Sequence, residues 1–322
     1  MLEQARKNLG KRFKENESLA NHTTLRIGGP ARFLALAKDA EEIKQLIAEA
    51  QAESIDYAVL GGGSNILASD DGFDGLVIKI NGGEIKINGD QLIVDAGASL
   101  ALTLAQSLKA GLIGLEWAMG IPGTIGGAVC GNAGAYGGEM SQNVSSVKIL
   151  KQNAVIELPS SACDFGYRKS RFKKDGNKDI ILSVALKLKI GTPEEIAAAK
   201  EKIAKITAER GVKFSEGPSA GSFFRNIALT SAETAELKSR QPEIPEQFIA
   251  WQKIPAAWLI DECGLRGRQI GGAKVSDRHA GIIINAGGAT ASDVLMLASA
   301  IKQKVRSKFS LQLMEEVQYL GF

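Results

Sequence analysis

The stretch GLEWAMGIPGTIGGAVCGNAGAYGGE, residues 114–139, decides how the rest of the chain is interpreted. Its nine glycines and Pro122 disfavour a helix or an inner strand, so the sequence predicts a loop. Large apolar residues such as Leu115, Trp117 and Ile125 lie between the glycines, and a free linker has no need of them. We therefore expect an ordered loop whose backbone N–H groups can approach an anion such as a pyrophosphate. A mobile surface loop is the alternative that composition leaves open.

A second glycine loop lies upstream, in GGGSN at residues 61–65. It follows a predicted strand–helix–strand unit that begins near residue 31 and whose helix is capped by Asp39. Three glycines permit close approach of a ligand, and Ser64 and Asn65 add side-chain donors. The loop is neither a GxGxxG fingerprint nor a Walker loop, so by itself it is weak evidence for a phosphate site.

The remaining elements predict an α+β fold. Residues 1–20 resemble a helical lead-in, while Ser99 and Thr290 are typical caps of two later helices. Another helix should begin at Pro193, because a capping threonine precedes it, and Gly211 should close it. A domain boundary is expected close to that glycine.

The composition argues against several classes of protein. A net charge of +3, with Lys and Arg spread along the chain, does not indicate a nucleic-acid partner. We see no secretory signal and no apolar run of 18 residues, so we expect no membrane partner. The few cysteines and histidines predict no metal site, no disulfide framework and no Ser-His-Asp triad; they are Cys130, Cys163, Cys263, His22 and His279. A cytoplasmic protein is expected.

Two polar segments are candidates for chemistry. DFGYRKSR, residues 164–171, presents Arg168 directly after Tyr167, and an arginine fork suits a carboxylate or phosphate. Its alternative is a basic surface loop. SAGSFFRN, residues 219–226, holds Ser222 between a glycine and two phenylalanines, where its hydroxyl could donate a proton to a developing carbanion. A turn or capping serine is the plainer interpretation.

A third candidate is the pair Glu315 and Glu316 in the closing segment LQLMEEVQYL. This segment alternates as a strand does, and neighbours on a strand point to opposite faces. Only one of the two carboxylates can therefore face a site. A solvent-exposed pair is the commoner outcome for glutamates.

In combination, these segments resemble the UDP-N-acetylenolpyruvoylglucosamine reductase family of bacterial peptidoglycan synthesis. The resemblance covers nearly the whole chain in order, through NHTTLRIGGPA, GGGSN, GIPGTIGGAV, NAGAYGGE, FGYRKSRF, PSAGSFFRN, WLIDECGLRG, IGGAKVSDRHAG and EEVQYLG. The chain is similar to the shorter form of the family, because no tyrosine lies between residues 180 and 315 to form the extra tyrosine-bearing loop. Residues 211–217 are less proline-rich than the family pattern, which leaves substrate contacts there open.

The resemblance implies an FAD-binding fold of the vanillyl-alcohol oxidase type. Two FAD-binding subdomains would span residues 1–81, completed by a C-terminal strand at 311–322, and residues 82–211, while residues 212–310 would form the substrate domain. FAD would be bound non-covalently. The residues expected to hold it are Leu60, Gly61, Gly62, Gly63, Ser64, Asn65, Ile121, Pro122, Gly123, Thr124, Gly126, Gly127, Ala128, Asn132, Gly134 and Ala135.

The resemblance also implies a reaction in two halves. NADPH would reduce FAD, and the flavin N5 would pass hydride to C3 of the enolpyruvyl group of UDP-N-acetylglucosamine enolpyruvate, giving UDP-N-acetylmuramate. Ser222 would give a proton to C2, while Arg168 and Glu316 would polarise the carboxylate and stabilise the enolate. The remaining substrate contacts are expected from Tyr167, Arg225 and Asn226. A monomer is expected, although the sequence itself leaves the oligomeric state open.

Two other functions remain possible on the residues alone. One is an FAD-dependent alcohol or hydroxy-acid oxidase of the same superfamily. The other is a noncatalytic nucleotide-sugar binder that has kept the glycine loops. The second alternative leaves the joint presence of Arg168, Ser222 and Glu316 unexplained.

Overall fold

The computed structural model describes residues 1–174, 176–214, 216–241 and 243–322. Its contacts divide the chain into two compact units. Unit 1 comprises Met1–Glu17, Pro30–Gly63 and Phe73–Gly211, and unit 2 comprises Ser18–Gly29, Ser64–Gly72 and Val212–Phe322. Helices and strands are mixed in both units, which confirms the predicted α+β class. The finer division into three domains stays a prediction. In the described ranges, no helix has both the length and the apolar character that crossing a bilayer requires.

Helices and short strands follow one another along the whole chain. In chain order, the helices are α1 Glu3–Leu9, α2 Ala40–Ala52, α3 Leu100–Lys109, α4 Ile125–Cys130, α5 Pro193–Phe214, α6 Ser231–Arg240, α7 Glu246–Ala250, α8 Ala256–Glu262 and α9 Ala291–Phe309. The strands are β1 Phe13–Ser18, β2 Pro30–Ala37, β3 Tyr57–Leu60, β4 Ile66–Ala68, β5 Phe73–Ile80, β6 Ile85–Asn88, β7 Gln91–Asp95, β8 Leu112–Ile113, β9 Gly134–Ala135, β10 Gly138–Glu139, β11 Val144–Lys151, β12 Ala154–Pro159, β13 Ile180–Lys187, β14 Lys189–Ile190, β15 Ser219–Ser222, β16 Ile227–Ala228, β17 Lys253–Ile254, β18 Gln269–Ile270, β19 Ala273–Val275, β20 Ile282–Asn285 and β21 Gln318–Leu320.

Two larger sheets form the frame of unit 1. The first has the order β1-β2-β5-β3, in which β2 and β3 both run parallel to β5. Asp39 caps α2 by accepting the Glu42 N–H at 2.9 Å, as predicted, and the apolar face of α2 packs on the core of this sheet. The second sheet is antiparallel, with the order β12-β11-β13-β7-β6. Because β3 ends at Leu60, the first glycine loop emerges at the carboxyl end of a parallel strand.

The glycine-rich stretch differs from its prediction as a loop throughout, because the short helix α4 forms inside it. Thr124 caps this helix, and Ile125 and Val129 are fully buried in the core of the second sheet. A Cβ on Gly126 would lie 2.8 Å from the Ala96 Cβ. Tertiary packing thus outweighs the poor helix propensity of glycine here, since only a glycine lets the helix approach β7 this closely.

Two other predicted boundaries were wrong. The expected helical lead-in over residues 1–20 ends at Leu9, and β1 then joins the first sheet, where Phe13 packs 5.8 Å from the Phe33 ring. The helix α5 does not stop at Gly211 but continues to Phe214. Gly211 has no positive φ, so it is an ordinary helical residue and not a left-handed cap.

Unit 2 is built on the antiparallel sheet β15-β20-β19-β18. The helices α8 and α9 pack on it through Leu259, Leu297 and Ile301, which are fully or almost fully buried. The two short upstream pieces of the chain join this unit through hydrogen bonds. Asp70 accepts the N–H groups of Ala291 and Ser292 at the start of α9, at 2.6 and 3.0 Å. The unit therefore assembles segments that are more than 200 residues apart in sequence.

Candidate functional site

The two predicted glycine loops contact each other in unit 1. A Cβ on Gly62 would lie 2.7 Å from the Gly123 Cα, and a Cβ on Gly61 would lie 2.7 Å from the Thr124 Oγ1. Real Cβ atoms do not approach other atoms this closely, so the contact requires glycine at both positions. The loops are about 60 residues apart in sequence and nevertheless pack directly against each other, because Gly61 and Gly62 have no side chains.

Some backbone donors of the second loop are already used by the fold. The Ile125 N–H donates to the Ala98 carbonyl at 2.9 Å, and the Gly126 N–H donates to the Ala96 carbonyl at 2.8 Å. These two groups anchor the start of α4 and do not bind an anion. The expectation that a continuous run of N–H groups wraps a diphosphate is therefore too broad for this part of the loop.

The Arg168 loop is attached to the glycine-rich stretch. Gly166 and Lys169 exchange two backbone hydrogen bonds of 3.0 Å, which leaves Tyr167 and Arg168 at the tip of a tight turn. Arg168 has a φ of 53°, a left-handed conformation that costs energy in a residue with a Cβ. Its guanidinium carbon lies 5.5 Å from the centre of the Tyr167 ring. The turn therefore presents an arginine fork beside an aromatic ring.

Three hydrogen bonds hold this turn in place. The Arg168 guanidinium donates to the Gly134 carbonyl at 2.7 Å, and the Asn132 amide donates to the Gly166 carbonyl at 2.9 Å. The buried Ser170 hydroxyl donates to the Cys130 carbonyl at 2.6 Å. Two residues that the sequence assigned to the cofactor, Asn132 and Gly134, thus also position the arginine that it assigned to the substrate.

Ser222 lies in unit 2, at the end of β15, and is exposed to solvent. Gly221, with a φ of 75°, produces an irregular register between β15 and β20 just before it. The strand is held from the other side by Thr24, whose hydroxyl donates to the Ser219 carbonyl at 2.7 Å. In the sequence, NHTTLRIGGPA stands out only as a family motif, and nothing in it signals this contact.

The closing segment runs antiparallel to the residues that follow Ser222. Phe224 pairs with Glu315, the Arg225 N–H donates to the Met314 carbonyl at 2.9 Å, and the Glu316 N–H donates to the Phe223 carbonyl at 2.8 Å. The structure thus brings the Ser222 strand and Glu316 together. The predicted strand over the whole closing segment was too long, since regular pairing is confined to β21.

Asn65 connects the first glycine loop to this segment. Its side-chain amide donates to the Glu316 backbone carbonyl at 3.1 Å, and its backbone carbonyl accepts the Gln318 N–H at 3.0 Å. Asn65 was expected at the cofactor, and within unit 2 it also holds the backbone on both sides of Val317. Nothing in its residue type signals this second contact.

The remaining two predicted substrate residues have different surroundings. The Asn226 side-chain oxygen accepts the Ala256 N–H at 3.1 Å and so caps the start of α8. Arg225 is half-buried, and its Nε atom is buried without a hydrogen-bond partner in the described part of the chain. An unsatisfied buried donor of this kind is costly unless a ligand completes it.

Glu216 anchors the chain six residues before Ser222. It accepts hydrogen bonds from the Ser276 hydroxyl at 2.5 Å and from the N–H groups of Asp277 and Arg278 at 3.2 and 3.3 Å. Burial would raise the pKa of Glu216, but these hydrogen bonds and the nearby Lys274 outweigh burial and lower it. Glu216 therefore anchors the segment 211–217, whose substrate contacts the sequence left open; Ser215 lies outside the described residues.

The predicted site residues thus form one group in each unit. Unit 1 holds Leu60 to Gly63, the predicted residues between 121 and 135, Tyr167 and Arg168, while unit 2 holds Ser64, Asn65, Ser222, Arg225, Asn226 and Glu316. The division falls inside the GGGSN loop, between Gly63 and Ser64.

Comparison with protein families identifies both parts of the chain. The family model described as FAD binding domain matches residues 31–157, which include both glycine loops. The family model described as UDP-N-acetylenolpyruvoylglucosamine reductase, C-terminal domain, matches residues 213–320. Both glycine loops lie inside the FAD-binding match, and Gly62 and Gly123 bring them into direct contact.

Relatives that match nearly the full length carry the same name. A UDP-N-acetylenolpyruvoylglucosamine reductase of Clostridium botulinum strain Hall is 40% identical over 309 residues, which cover 95% of this chain and 92% of the relative. The Bacillus velezensis protein of that name is 37% identical over 95% of this chain and 93% of its own length. The crystal structure of the Thermus caldophilus reductase superposes with a TM-score of 0.74 at 33% identity, over 95% of this chain and 98% of that one.

We expect the substitution Gly62→Ala to weaken FAD binding by about ten- to hundredfold. The new methyl group would meet the Gly123 backbone, and overpacking of this kind costs about 1–3 kcal/mol. Fluorescence titration of the apoprotein with FAD measures the effect. Gly131→Ala is the matched control, since its Cβ would meet no atom closer than 3.7 Å and should leave FAD affinity unchanged. An unchanged affinity in Gly62→Ala would contradict the contact.

Glu216→Gln should lower the free energy of unfolding by about 1–2 kcal/mol at pH 7, because a charged hydrogen-bond acceptor is lost. The folded-state pKa of Glu216 lies below its ordinary value of 4.5, so its stabilising contribution is complete above that value and is lost as the pH falls through the folded-state pKa. Urea unfolding of both proteins at a series of pH values should therefore show a difference that shrinks below pH 4.5. The exposed Glu201→Gln serves as a control, and a difference independent of pH would refute the assignment.

Proposed function

This chain belongs to the UDP-N-acetylenolpyruvoylglucosamine reductase family, and we propose that Arg168, Ser222 and Glu316 carry out its chemistry. The chain is an FAD-dependent oxidoreductase of peptidoglycan synthesis, a UDP-N-acetylmuramate dehydrogenase, and its substrate is a small nucleotide sugar. The predicted family and FAD-binding fold are confirmed. The observation that carries the proposed residue roles is the backbone pairing of residues 223–225 with residues 314–316, which brings Glu316 beside the strand of Ser222.

The reduction adds a hydride to C3 and a proton to C2 of the enolpyruvyl group. When bound, FAD supplies the hydride, which we propose it obtains from NADPH. Negative charge then develops at C2 and is shared with the substrate carboxylate. Residues of this chain have to stabilise that charge and deliver the proton.

Ser222 is the proposed proton donor to C2. Ser222 is exposed to solvent, whereas Phe223 and Phe224 directly after it are at most 2% exposed. The hydroxyl is thus positioned by a rigid neighbouring segment and is still accessible to a ligand. General acid catalysis needs this combination of a fixed donor and access to the reacting atom.

Arg168 and Glu316 are the proposed partners of the substrate carboxylate. The planar guanidinium of Arg168 can bind a carboxylate through two parallel hydrogen bonds, and the Gly134 carbonyl already fixes one of its amino groups at 2.7 Å. Glu316 must act in its protonated form or share a proton, because a bare carboxylate would repel the enolate. Tyr167, Arg225 and Asn226 are proposed as further substrate contacts, of which Arg225 has a buried Nε that still needs an acceptor.

The proposed FAD contacts are the residues of both glycine loops named from the sequence, and binding is proposed to be non-covalent. The close contact of Gly62 with Gly123 supports the assignment of the two loops to one ligand. We further propose that the protein is monomeric and acts in the cytoplasm, where UDP-linked sugars are made.

An anaerobic visible spectrum of the purified protein tests this function. We expect a flavin band that bleaches when NADPH is added and returns when UDP-N-acetylglucosamine enolpyruvate is added. This result would identify cofactor, donor and acceptor in one experiment. A band restored only by O₂ would favour an oxidase of alcohols or hydroxy acids, and a protein that cannot be reconstituted with FAD would exclude the proposal.

Ser222→Ala should slow the reoxidation of the bound flavin by the enolpyruvyl substrate by about 10²- to 10⁴-fold, the usual contribution of a general acid. Flavin reduction by NADPH should change little, because it needs no proton from Ser222. Stopped-flow absorbance measures the two half-reactions separately. The exposed Ser292→Ala is a control for loss of a hydroxyl. Equal slowing of both halves would remove Ser222 from the donor role.

A further inference from the structure

Arg210 lies against the glycine-rich stretch and is not used by the chemistry proposed above. It belongs to the last part of α5, outside the segment that matches the FAD binding domain. A Cβ on Gly120 would lie 2.7 Å from the Arg210 Nε and 2.9 Å from its Cδ. Gly120 has a φ of 72°, a left-handed conformation that favours glycine. The Arg210 side chain therefore occupies the space that a side chain at residue 120 would need.

A second contact joins Arg210 to the same stretch farther along the chain. The side chains of Arg210 and Tyr136 interact, and burial raises the pKa of the Tyr136 hydroxyl, which is therefore neutral at pH 7. Burial also lowers the pKa of Arg210, because it disfavours the charged form. A guanidinium nevertheless stays protonated in proteins. Arg210 thus places a partly desolvated positive charge beside a neutral phenol.

The two contacts flank the residues that we expect to hold FAD. In this stretch those residues begin at Ile121, directly after Gly120, and end at Ala135, directly before Tyr136. Gly120 is exposed to solvent and Tyr136 is 40% exposed, so a ligand can reach the surface around both. Arg210 therefore touches the stretch on both sides of its expected cofactor residues.

One donor of the guanidinium group still lacks an acceptor. The Arg210 residue has further interactions, but its Nε atom is buried and has no hydrogen-bond partner in the part of the chain that the structure describes. A buried donor of this kind is costly unless a ligand completes it. A guanidinium binds anionic oxygens through paired, charge-assisted hydrogen bonds. Position, charge and the incomplete donor set together fit an oxygen of a bound cofactor.

We propose that Arg210 is a further FAD-binding residue, whose guanidinium binds an anionic oxygen of the cofactor. Two parts of FAD present such oxygens: the diphosphate, and the pyrimidine edge of the isoalloxazine ring, which gains negative charge on reduction. Gly120 is a positioning residue, because only glycine leaves room for the guanidinium. The inference does not depend on the proposed roles of Ser222 and Glu316, so its failure would leave those roles intact.

Arg210→Met should weaken FAD binding by about 10- to 100-fold, because a charge-assisted hydrogen bond is lost. Equilibrium dialysis of the holoenzyme, with the released FAD measured by fluorescence, gives the dissociation constant. Arg210→Lys keeps the charge without the planar fork and should show a smaller loss. Lys205→Met removes an exposed charge from the same helix and should leave the constant within about twofold. A wild-type dissociation constant in Arg210→Met would overturn the inference.

Gly120→Ala tests the same contact from the other side. Its methyl group would displace the guanidinium, and FAD binding should weaken about tenfold. Gly111→Ala is the matched control for backbone strain, since Gly111 has a φ of 77° and its Cβ would meet no atom closer than 3.7 Å. The double variant Gly120→Ala/Arg210→Met should bind FAD as Arg210→Met does, because both changes remove one interaction. Fully additive losses would refute the positioning role of Gly120.

Two further measurements on Arg210→Met identify the oxygens that are bound. A contact with the diphosphate predicts that ADP displaces FAD from the holoenzyme with an inhibition constant weakened by a factor similar to that for FAD. A contact with the ring predicts an unchanged constant for ADP and about tenfold weaker binding of reduced than of oxidised FAD, which lowers the midpoint potential by about 30 mV. Weaker FAD binding with neither change would indicate an indirect effect and would overturn the direct contact.

Discussion

The contact between Gly62 and Gly123 is the constraint on which unit 1 depends. A Cβ on Gly62 would lie 2.7 Å from the Gly123 Cα, so the two loops can approach this closely only because residue 62 has no side chain. The helix α4 approaches Ala96, directly after β7, equally closely, since a Cβ on Gly126 would lie 2.8 Å from the Ala96 Cβ. The unfavourable conformational entropy of so many glycines is therefore offset by contacts that no other residue permits. The proposed binding of a dinucleotide and the packing of the core both favour residues without a side chain in this stretch.

Unit 2 depends on backbone hydrogen bonds between segments that are distant in sequence. The pairing of residues 223–225 with 314–316 joins strands about 90 residues apart. Thr24 and Asn65 add contacts from segments that are about 195 and 251 residues away from their partners. Such bonds specify position well because their geometry is narrow. They contribute no side-chain pattern that is recognisable in the sequence.

The helix starts that capping residues determine were predicted correctly, whereas a helix that depends on tertiary packing and a helix end that depends on backbone conformation were not. Asp39, Ser99 and Thr290 each cap the expected helix, since capping depends on a few neighbouring residues. The helix α4 was missed, because its stability comes from burial of Ile125 and Val129 and not from propensity. Gly211 was expected to end a helix that passes through it, because a glycine closes a helix only where the next backbone turns left-handed.

The site shows the same division between local and distant information. The glycine loops, Arg168 and Ser222 were predicted as parts of a site from contiguous segments whose composition is unusual. The choice between Glu315 and Glu316 is different, since the two are identical in type and strand alternation states only that one of them faces away; the resemblance to the family is what favoured Glu316. In the structure the Lys302 amino group, thirteen residues before Glu315, lies 2.6 Å from the Glu315 carboxylate, and alternation along an extended backbone directs the neighbouring side chain to the other face, which is consistent with the proposed role of Glu316. In the proposed reaction this separation is useful, because a carboxyl group that must carry a proton beside an enolate is better placed away from a lysine that would stabilise its charged form.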